Sequence, residues 1–386
     1  MNILYLTAAD PRSVENGMMQ RSHHLWLALS RLGVVHTVCR RKDYPETELI
    51  RHGLDDDGNP FKWVFHRVCR RLFRLVHPVF GEYCQLPFPV RLRLQDRFPG
   101  VKFDLIVVRY LYRIGWIEFP PGVPVCVDVD DWPGEILSTD TRWFLRWRTR
   151  FASVLLDRVV RKMMERVDGA WVANGGQLGY LKVKTAAELV NIPKEGLGIC
   201  KRNESRCHLL TIGAMSYAPN YRGVDRFVKR IWRRFHDLHP ELEYVIVGRG
   251  APRHLVKQWS RVPGVRYLGY VEDVQALYDA ALCTVVPVQE GGGTCIKTIE
   301  SLARGRVCVS TRFGLRGLDS SDAAPGRGMV AYEDADSFER QMRRWVLDDR
   351  MRTGIEDAAR TYATENHSFA MFFESVARVV EEVVRT

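Results

Sequence analysis

Residues 286–303 read VPVQEGGGTCIKTIESLA. An apolar run ends at Pro287, glycines occupy 291, 292 and 293, and a helical pattern opens near Thr294. Ile296, Ile299 and Leu302 recur at three-residue spacing, which marks the buried stripe of a helix. Lys297 and Glu300 then sit one turn apart on another face. Glycines ahead of a helix let the backbone approach a ligand, and the helix N-terminus favours an anion. The N–H groups of Gly291, Gly292, Gly293 and Thr294 are therefore candidates for cradling a diphosphate. Lys297 would add charge, and Glu300 could accept paired hydrogen bonds from ribose hydroxyls. The competing reading is a glycine turn before an ordinary helix.

Outward from this segment, short apolar strands alternate with helical patterns. Strands are expected at 2–7, 34–39, 104–108, 124–129, 169–173, 208–213, 243–248, 265–268, 282–287 and 306–310. Helices are expected at 18–32, 143–167, 222–239, 272–281, 294–304, 335–349 and 367–385. Such alternation builds βαβ units and parallel sheets. It runs twice, once over about 1–200 and again from His208, with a linker at 191–207. Two domains, 1–200 and 201–366, follow, with 367–386 as a final helix. The loop after the first strand, AADPRSVENG, places Gly17 just ahead of a helix and offers a weaker anion site. It lacks G-x-G-x-x-G and the P-loop pattern.

The 386 residues are 46% hydrophobic and 27% charged, an ordinary globular composition that excludes a disordered chain. Lys and Arg outnumber Asp and Glu by 57 to 46, a net charge of +11. That balance points to an anionic partner: nucleic acid, membrane surface or phosphorylated ligand. No nucleic-acid-binding motif is found, so nucleic acid is the least supported of the three. There is no signal peptide pattern and no apolar run long enough to span a bilayer. The nine cysteines are scattered without C-x-x-C, as expected of buried, reduced thiols in a cytoplasmic protein.

Two segments carry the basic excess. In 61–80 (FKWVFHRVCRRLFRLVHPVF), Phe61, Val64, Phe65, Val68, Cys69, Leu72, Phe73, Val76 and Phe80 share one helical face and Lys62, Arg67, Arg70, Arg71 and Arg74 the other. Segment 142–166 repeats the theme with Trp143, Phe144, Trp147, Phe151 and Leu155 among many arginines. Basic amphipathic helices edged with Trp and Phe suit an anionic membrane surface; the alternative is a helix packed on its own sheet with a solvated basic back. Strand 124–129 runs out into Asp128, Asp130 and Asp131, then Trp132-Pro133-Gly134. Carboxylates at a strand's carboxyl end face the ligand crevice of an open α/β sheet and can act as general base. Asp130 and Asp131 are the candidates. Asp128-Val129-Asp130 also spells D-x-D, which can hold a divalent metal, or can simply cap the turn.

Together these blocks resemble the glycosyltransferase family 4 branch of the GT-B superfamily. The resemblance is carried by LLTIGAMSYAPNYRGVDRF, LEYVIVGRG, GVRYLGYVEDVQALYDAALCTVVP and GGGTCIKTIESLARGRVCVSTRFGLRGL across 208–318, and more loosely by the first half. It implies two Rossmann-like domains with parallel sheets facing a cleft and a last helix crossing back to the first domain. The reaction it implies is transfer of a sugar from a nucleotide-diphosphate donor to an acceptor hydroxyl, with retention and without a metal or cofactor. Glu300 matches the second glutamate of the family's E-x7-E motif. The first should stand at 292, which is Gly292, and Glu290 comes two residues early. Of the expected basic pair after the first C-domain strand, 215–222 offers only Arg222, with Lys297 as a substitute. Asp130 takes the place of the family's histidine. The implied partners are a nucleotide sugar, a saccharide or lipid-linked acceptor, and the inner face of an anionic membrane. The rivals are a GT-B sugar-nucleotide epimerase, a metal-dependent GT-A enzyme, and a non-catalytic basic membrane-surface protein.

Overall fold

Apolar strands of four to six residues, buried on both faces, are the framework of this chain, as parallel sheets covered by helices require. The computed structural model describes residues 1–7, 10–12, 14, 17–38, 68–69, 71–72, 74, 90–91, 94, 98–111, 114, 117–138, 146–201, 206–318 and 325–385. The chain forms two units, Met1–Val190 with Phe369–Thr386, and Asn191–Ser368. The first boundary falls at the start of the 191–207 segment, and the final helix, Phe369–Arg385, belongs to the first unit.

The first unit carries a six-stranded parallel sheet, β1 (Asn2–Leu6), β2 (Val34–Val38), β4 (Leu105–Arg109), β6 (Val125–Asp130), β7 (Gly169–Val172) and β8 (Thr185–Glu188). Its order is β2-β1-β4-β6-β7-β8. Two short strands, β3 (Val90–Arg91) and β5 (Ile117–Glu118), pair separately. The Arg146–Met164 helix buries Ala152, Leu156, Val160, Met163 and Met164. Phe372, Val376, Val379, Val380 and Val383 of Phe369–Arg385 are buried too. The Trp171 indole N–H donates to the Ser375 carbonyl at 3.1 Å, tying β7 to that helix.

The second unit has β9 (His208–Ile212), β10 (Glu243–Val247), β11 (Val265–Gly269), β12 (Ala281–Val286), β13 (Cys308–Thr311) and β14 (Met329–Tyr332) in the order β11-β10-β9-β12-β13-β14. Counted within the unit, that is 3-2-1-4-5-6, the doubly wound arrangement whose ligand crevice opens where the order reverses, between β9 and β12. The long helix expected at 222–239 begins at Ala218 and contains a π-helical turn, Val228–Trp232, before ending at Leu238. Its buried Phe227, Trp232 and Phe235 pack with Tyr244, Tyr332 and Phe338. β8, β14 and the helices Arg253–Trp259 and Asp349–Asn366 were not expected from the sequence.

Most of 61–80 lies outside the described residues, as do Cys39 and Cys84. Of the other cysteines, Cys126, Cys200, Cys283 and Cys308 are buried, Cys69 and Cys295 half-buried; Cys207 is exposed, against the expectation of buried thiols. Among the described residues no helix is long and apolar enough to cross a membrane.

His24, on the Gly17–Leu32 helix, is buried against Phe369 and Phe372. Burial, then His23 and Arg21, push its pKa down from 6.5 to about 4. The folded state therefore resists a proton that the unfolded chain accepts. The stabilisation is fully present above pH 6.5 and is lost as pH falls toward 4, a difference of about 3 kcal/mol. Melting temperature should drop over this window, and His24→Phe should flatten the drop in a calorimetric pH series. A variant with an unchanged profile would refute the assignment.

Candidate functional site

At the reversal point of the second sheet, β12 leads through Pro287–Glu290 into the glycine loop, and the Ile296–Ala303 helix follows. Gly291 has φ 122° and Gly293 φ 60°, left-handed conformations that favour glycine. The loop's amides thereby turn toward the helix end. Among the described residues, the N–H groups of Gly292 and Gly293 donate to no protein acceptor, although Gly293 is buried. The Gly293 carbonyl is taken by Arg316, whose Nε and Nη2 donate at 3.0 and 2.8 Å. The loop is thus braced through its carbonyl while two N–H donors stay open, the requirement for an anion site. Asn191 Nδ2 donates to the Thr294 carbonyl at 3.4 Å.

Lys297 reaches back over the end of β9. Its ammonium donates to Asn220 Oδ1, and a Cβ added to Gly213 would stand 3.3 Å from Nζ. Burial lowers its pKa, so an arriving phosphate would meet a cation already stripped of much of its water. Glu300 is half-buried one turn further along. Arg222 pairs with Glu290 at 3.0 Å, and Glu290 is only 7% exposed. The glutamate that stands two residues early in sequence is therefore occupied by Arg222. Asn220 and Arg316 were missed by sequence reasoning. Asn220 had a signal, the Pro-Asn dipeptide that opens a helix; Arg316 had none.

The first unit places its charged residues at the carboxyl ends of β4 and β6. Arg21, from the Gly17–Leu32 helix, grips Asp128 with two bonds of 2.8 and 2.9 Å. Arg109 Nη2 donates to Asp130 at 2.7 Å, and Arg109 Nη1 stands 3.2 Å from Asp128. Arg21, Arg109 and Asp128 are buried, while Asp130 keeps 23% of its side chain exposed. A register shift between Asp128 and Asp130 against β7 re-aims the strand end. Asp130 has φ 64° and Tyr110, the residue that follows β4, φ 78°, with the Arg109 guanidinium 4.0 Å over the Tyr110 ring. Burial alone would raise the pKa of Asp130, but Arg109 and Arg21 outweigh it and hold the carboxyl below its usual range. So placed, Asp130 is a weak base and a fixed hydrogen-bond acceptor. Asp131, half-buried, follows it directly. The D-x-D carboxylates face guanidinium groups, so their charge is already balanced. Gly17 opens its helix as the first residue.

Trp132 locks the turn after β6. Its indole N–H donates to Asp157 at 2.7 Å, and its backbone N–H to Gln177 at 3.1 Å. A Cβ on Gly134 would sit 2.1 Å from Asp157 Oδ1, so any larger residue there would push the Asp157 carboxylate away from the Trp132 indole it holds.

Residues 206–348 match the family described as Glycosyl transferases group 1. The second unit therefore carries a Glycosyl transferases group 1 domain. The two-sheet GT-B fold of the chain is shared with solved structures of low identity. A sucrose-phosphate synthase from Thermosynechococcus elongatus superposes with TM-score 0.68 at 13% identity, covering 99% of both chains. WaaG, a glycosyltransferase involved in lipopolysaccharide biosynthesis, gives 0.61 at 15% identity, covering 98% of this chain and 99% of its own. Anabaena HepE in complex with UDP-glucose gives 0.61 at 11% identity, covering 99% and 100%. No curated protein matches the chain.

Proposed function

We propose that this protein is a glycosyltransferase that moves a sugar from a nucleotide-diphosphate donor to an acceptor hydroxyl, with retention and without a metal. The observation that carries the reading is the pair of unengaged amides at Gly292 and Gly293, beside Lys297 at the reversal point of the sheet. The donor diphosphate seats on these amides with Lys297 against its charge, and Glu300 takes the ribose hydroxyls. HepE, of the same fold, is described with UDP and with UDP-glucose. As the bond from the sugar carbon to the diphosphate breaks, negative charge grows on the leaving oxygen. Fixed N–H dipoles and the Lys297 ammonium stabilise it. The acceptor oxygen forms the new bond and gives up its proton. Asp131 is the better base of the two aspartates, since Asp130 is held by Arg109 and Arg21. The neutralised D-x-D supports metal independence.

The acceptor is proposed to be a lipid-linked saccharide presented at the inner face of an anionic membrane. The Arg146–Met164 helix supports this with Phe151 and Val154, 60% and 51% exposed, among exposed Arg150, Arg158 and Lys162. The cytoplasmic peripheral location follows from the same face. Flotation with anionic vesicles tests it, since binding that ignores anionic lipid content would remove the basic-helix argument.

Glu300→Ala tests the donor assignment. Loss of two hydrogen bonds to ribose should weaken donor binding by about tenfold to a hundredfold, read as a rise in KM or a smaller thermal shift with UDP-sugar. Full turnover with normal donor affinity would sink it. Product analysis with and without acceptor separates transfer from epimerisation.

A further inference from the structure

We infer that the outer face of the Ala218–Phe227 helix, with the π-helical turn that continues it, is a second anion site that takes a phosphate-bearing ligand other than the sugar donor. A hollow of about 240 Å³ opens there, lined by Arg222, Asp225, Arg226, Lys229 and Arg230. Four cations thus face one carboxylate. That carboxylate is spent on one of the four, because Asp225 accepts from Lys229 Nζ at 2.7 Å, and it also accepts from the Trp259 indole at 3.2 Å. Arg226 is held by the neutral side-chain carbonyl of Gln289. Among the described residues Arg226 and Arg230 form no ion pair with a carboxylate. Arg222 is paired with Glu290 at 3.0 Å.

Arg222, Arg226 and Arg230 follow one another at four-residue spacing, which stacks like charges along the helix and opposes its formation. A local rule broken in this way, with Arg226 and Arg230 left without a carboxylate partner among the described residues, marks a candidate functional surface. The π turn at Val228–Trp232 adds to this. Such turns are rare and concentrate at functional sites, and here Val228, Ile231 and Trp232 are buried beneath it while Lys229 and Arg230 stay exposed. The buried side fixes the backbone, so the cations are presented from a rigid base.

The donor diphosphate does not explain this cluster. Arg222 touches the segment just before the glycines through Glu290, but Arg230 lies eight residues further on, about 12 Å along the helix axis. One diphosphate seated at Gly292–Gly293 cannot serve both ends. A second group of the same chemistry can, either a soluble phosphorylated compound or the phosphate of a lipid headgroup.

Inorganic pyrophosphate is the probe. Titrated calorimetrically into the full chain saturated with UDP, it should still bind. Arg226→Gln/Arg230→Gln should weaken that binding about tenfold or more and leave UDP binding and melting temperature unchanged. Arg230→Glu, at an exposed position, should weaken it further and guards against a folding artefact. Flotation separates the sources. If lipid supplies the phosphate, the double variant also loses binding to phosphatidylcholine vesicles containing phosphatidic acid; if the ligand is soluble, flotation stays as in the parent while pyrophosphate binding falls. Pyrophosphate fully displaced by UDP, or bound equally by parent and variants, would overturn the inference. A chain that fails to bind UDP counts against the donor site alone and leaves the pyrophosphate result readable.

Discussion

Lys297→Met is expected to lower turnover by about two to three orders of magnitude, the cost of removing one preorganised donor from a developing oxyanion. Methionine keeps the length and packing of the side chain and removes only the charge and its hydrogen bond. In the proposed reaction the loss should fall mainly on kcat, because charge on the diphosphate would grow as the sugar leaves, and an interaction that strengthens in the transition state shows in turnover rather than in KM. The structure sharpens this expectation. Lys297 is partly stripped of water, its pKa lowered by burial, and its ammonium is directed by Asn220 over Gly213, at the end of β9. An ammonium already desolvated and aimed needs little reorganisation when the charge appears. Lys297→Arg would not restore the rate, since the larger fork has no room beside Asn220 and the close backbone of Gly213. Steady-state kinetics with a donor and acceptor pair checks the split; a kcat within a few-fold of the parent removes Lys297 from the reaction.

The parts of this candidate site that are legible in the sequence are those with a local signature. Three glycines before a helix, and Lys297 and Glu300 between Ile296, Ile299 and Leu302, are read from spacing alone. The long apolar strands were equally plain. β8 (TAAE) was not, because alanine and glutamate carry little strand preference. The Asp349–Asn366 helix was missed because its buried stripe, Ile355, Ala359 and Ala363, is mostly alanine and the segment contains Gly354. The charged cluster of the first unit was hidden for another reason. Arg21, Arg109, Asp128 and Asp130 come from three elements up to 109 positions apart, as 21 and 130 show, and only the parallel order β1-β4-β6 brings them together. The sequence showed the aspartates and suggested a base; it contained no sign that two buried arginines would claim them.

That cluster yields the largest expected effect on stability. Arg109→Met should destabilise the first unit by about 3–5 kcal/mol, because removing one partner of a buried ion network leaves charge without compensation. The four groups balance, two guanidinium against two carboxylates. Without Arg109, Arg21 alone faces Asp128, which has no exposure, and Asp130. At about 2–4 °C per kcal/mol for a unit of this size, the melting transition should fall by on the order of 10 °C. The loss should also depend on pH with a definite sign. In the parent, Asp130 has a folded pKa below its unfolded value, so its share of stability is present above the unfolded carboxylate pKa and disappears as acid passes through the folded one. In the variant that protection is weakened, and the acid limb should begin at higher pH. Arg109→Met/Asp130→Asn restores charge balance, and asparagine tolerates the left-handed backbone at this position. The double variant should therefore recover a substantial part of the loss, and a coupling energy well above zero in the double-mutant cycle identifies the ion network rather than lost packing as the cause. Equal melting temperatures for the single and double variants would place the effect in packing around Tyr110 instead, where the Arg109 guanidinium also stacks.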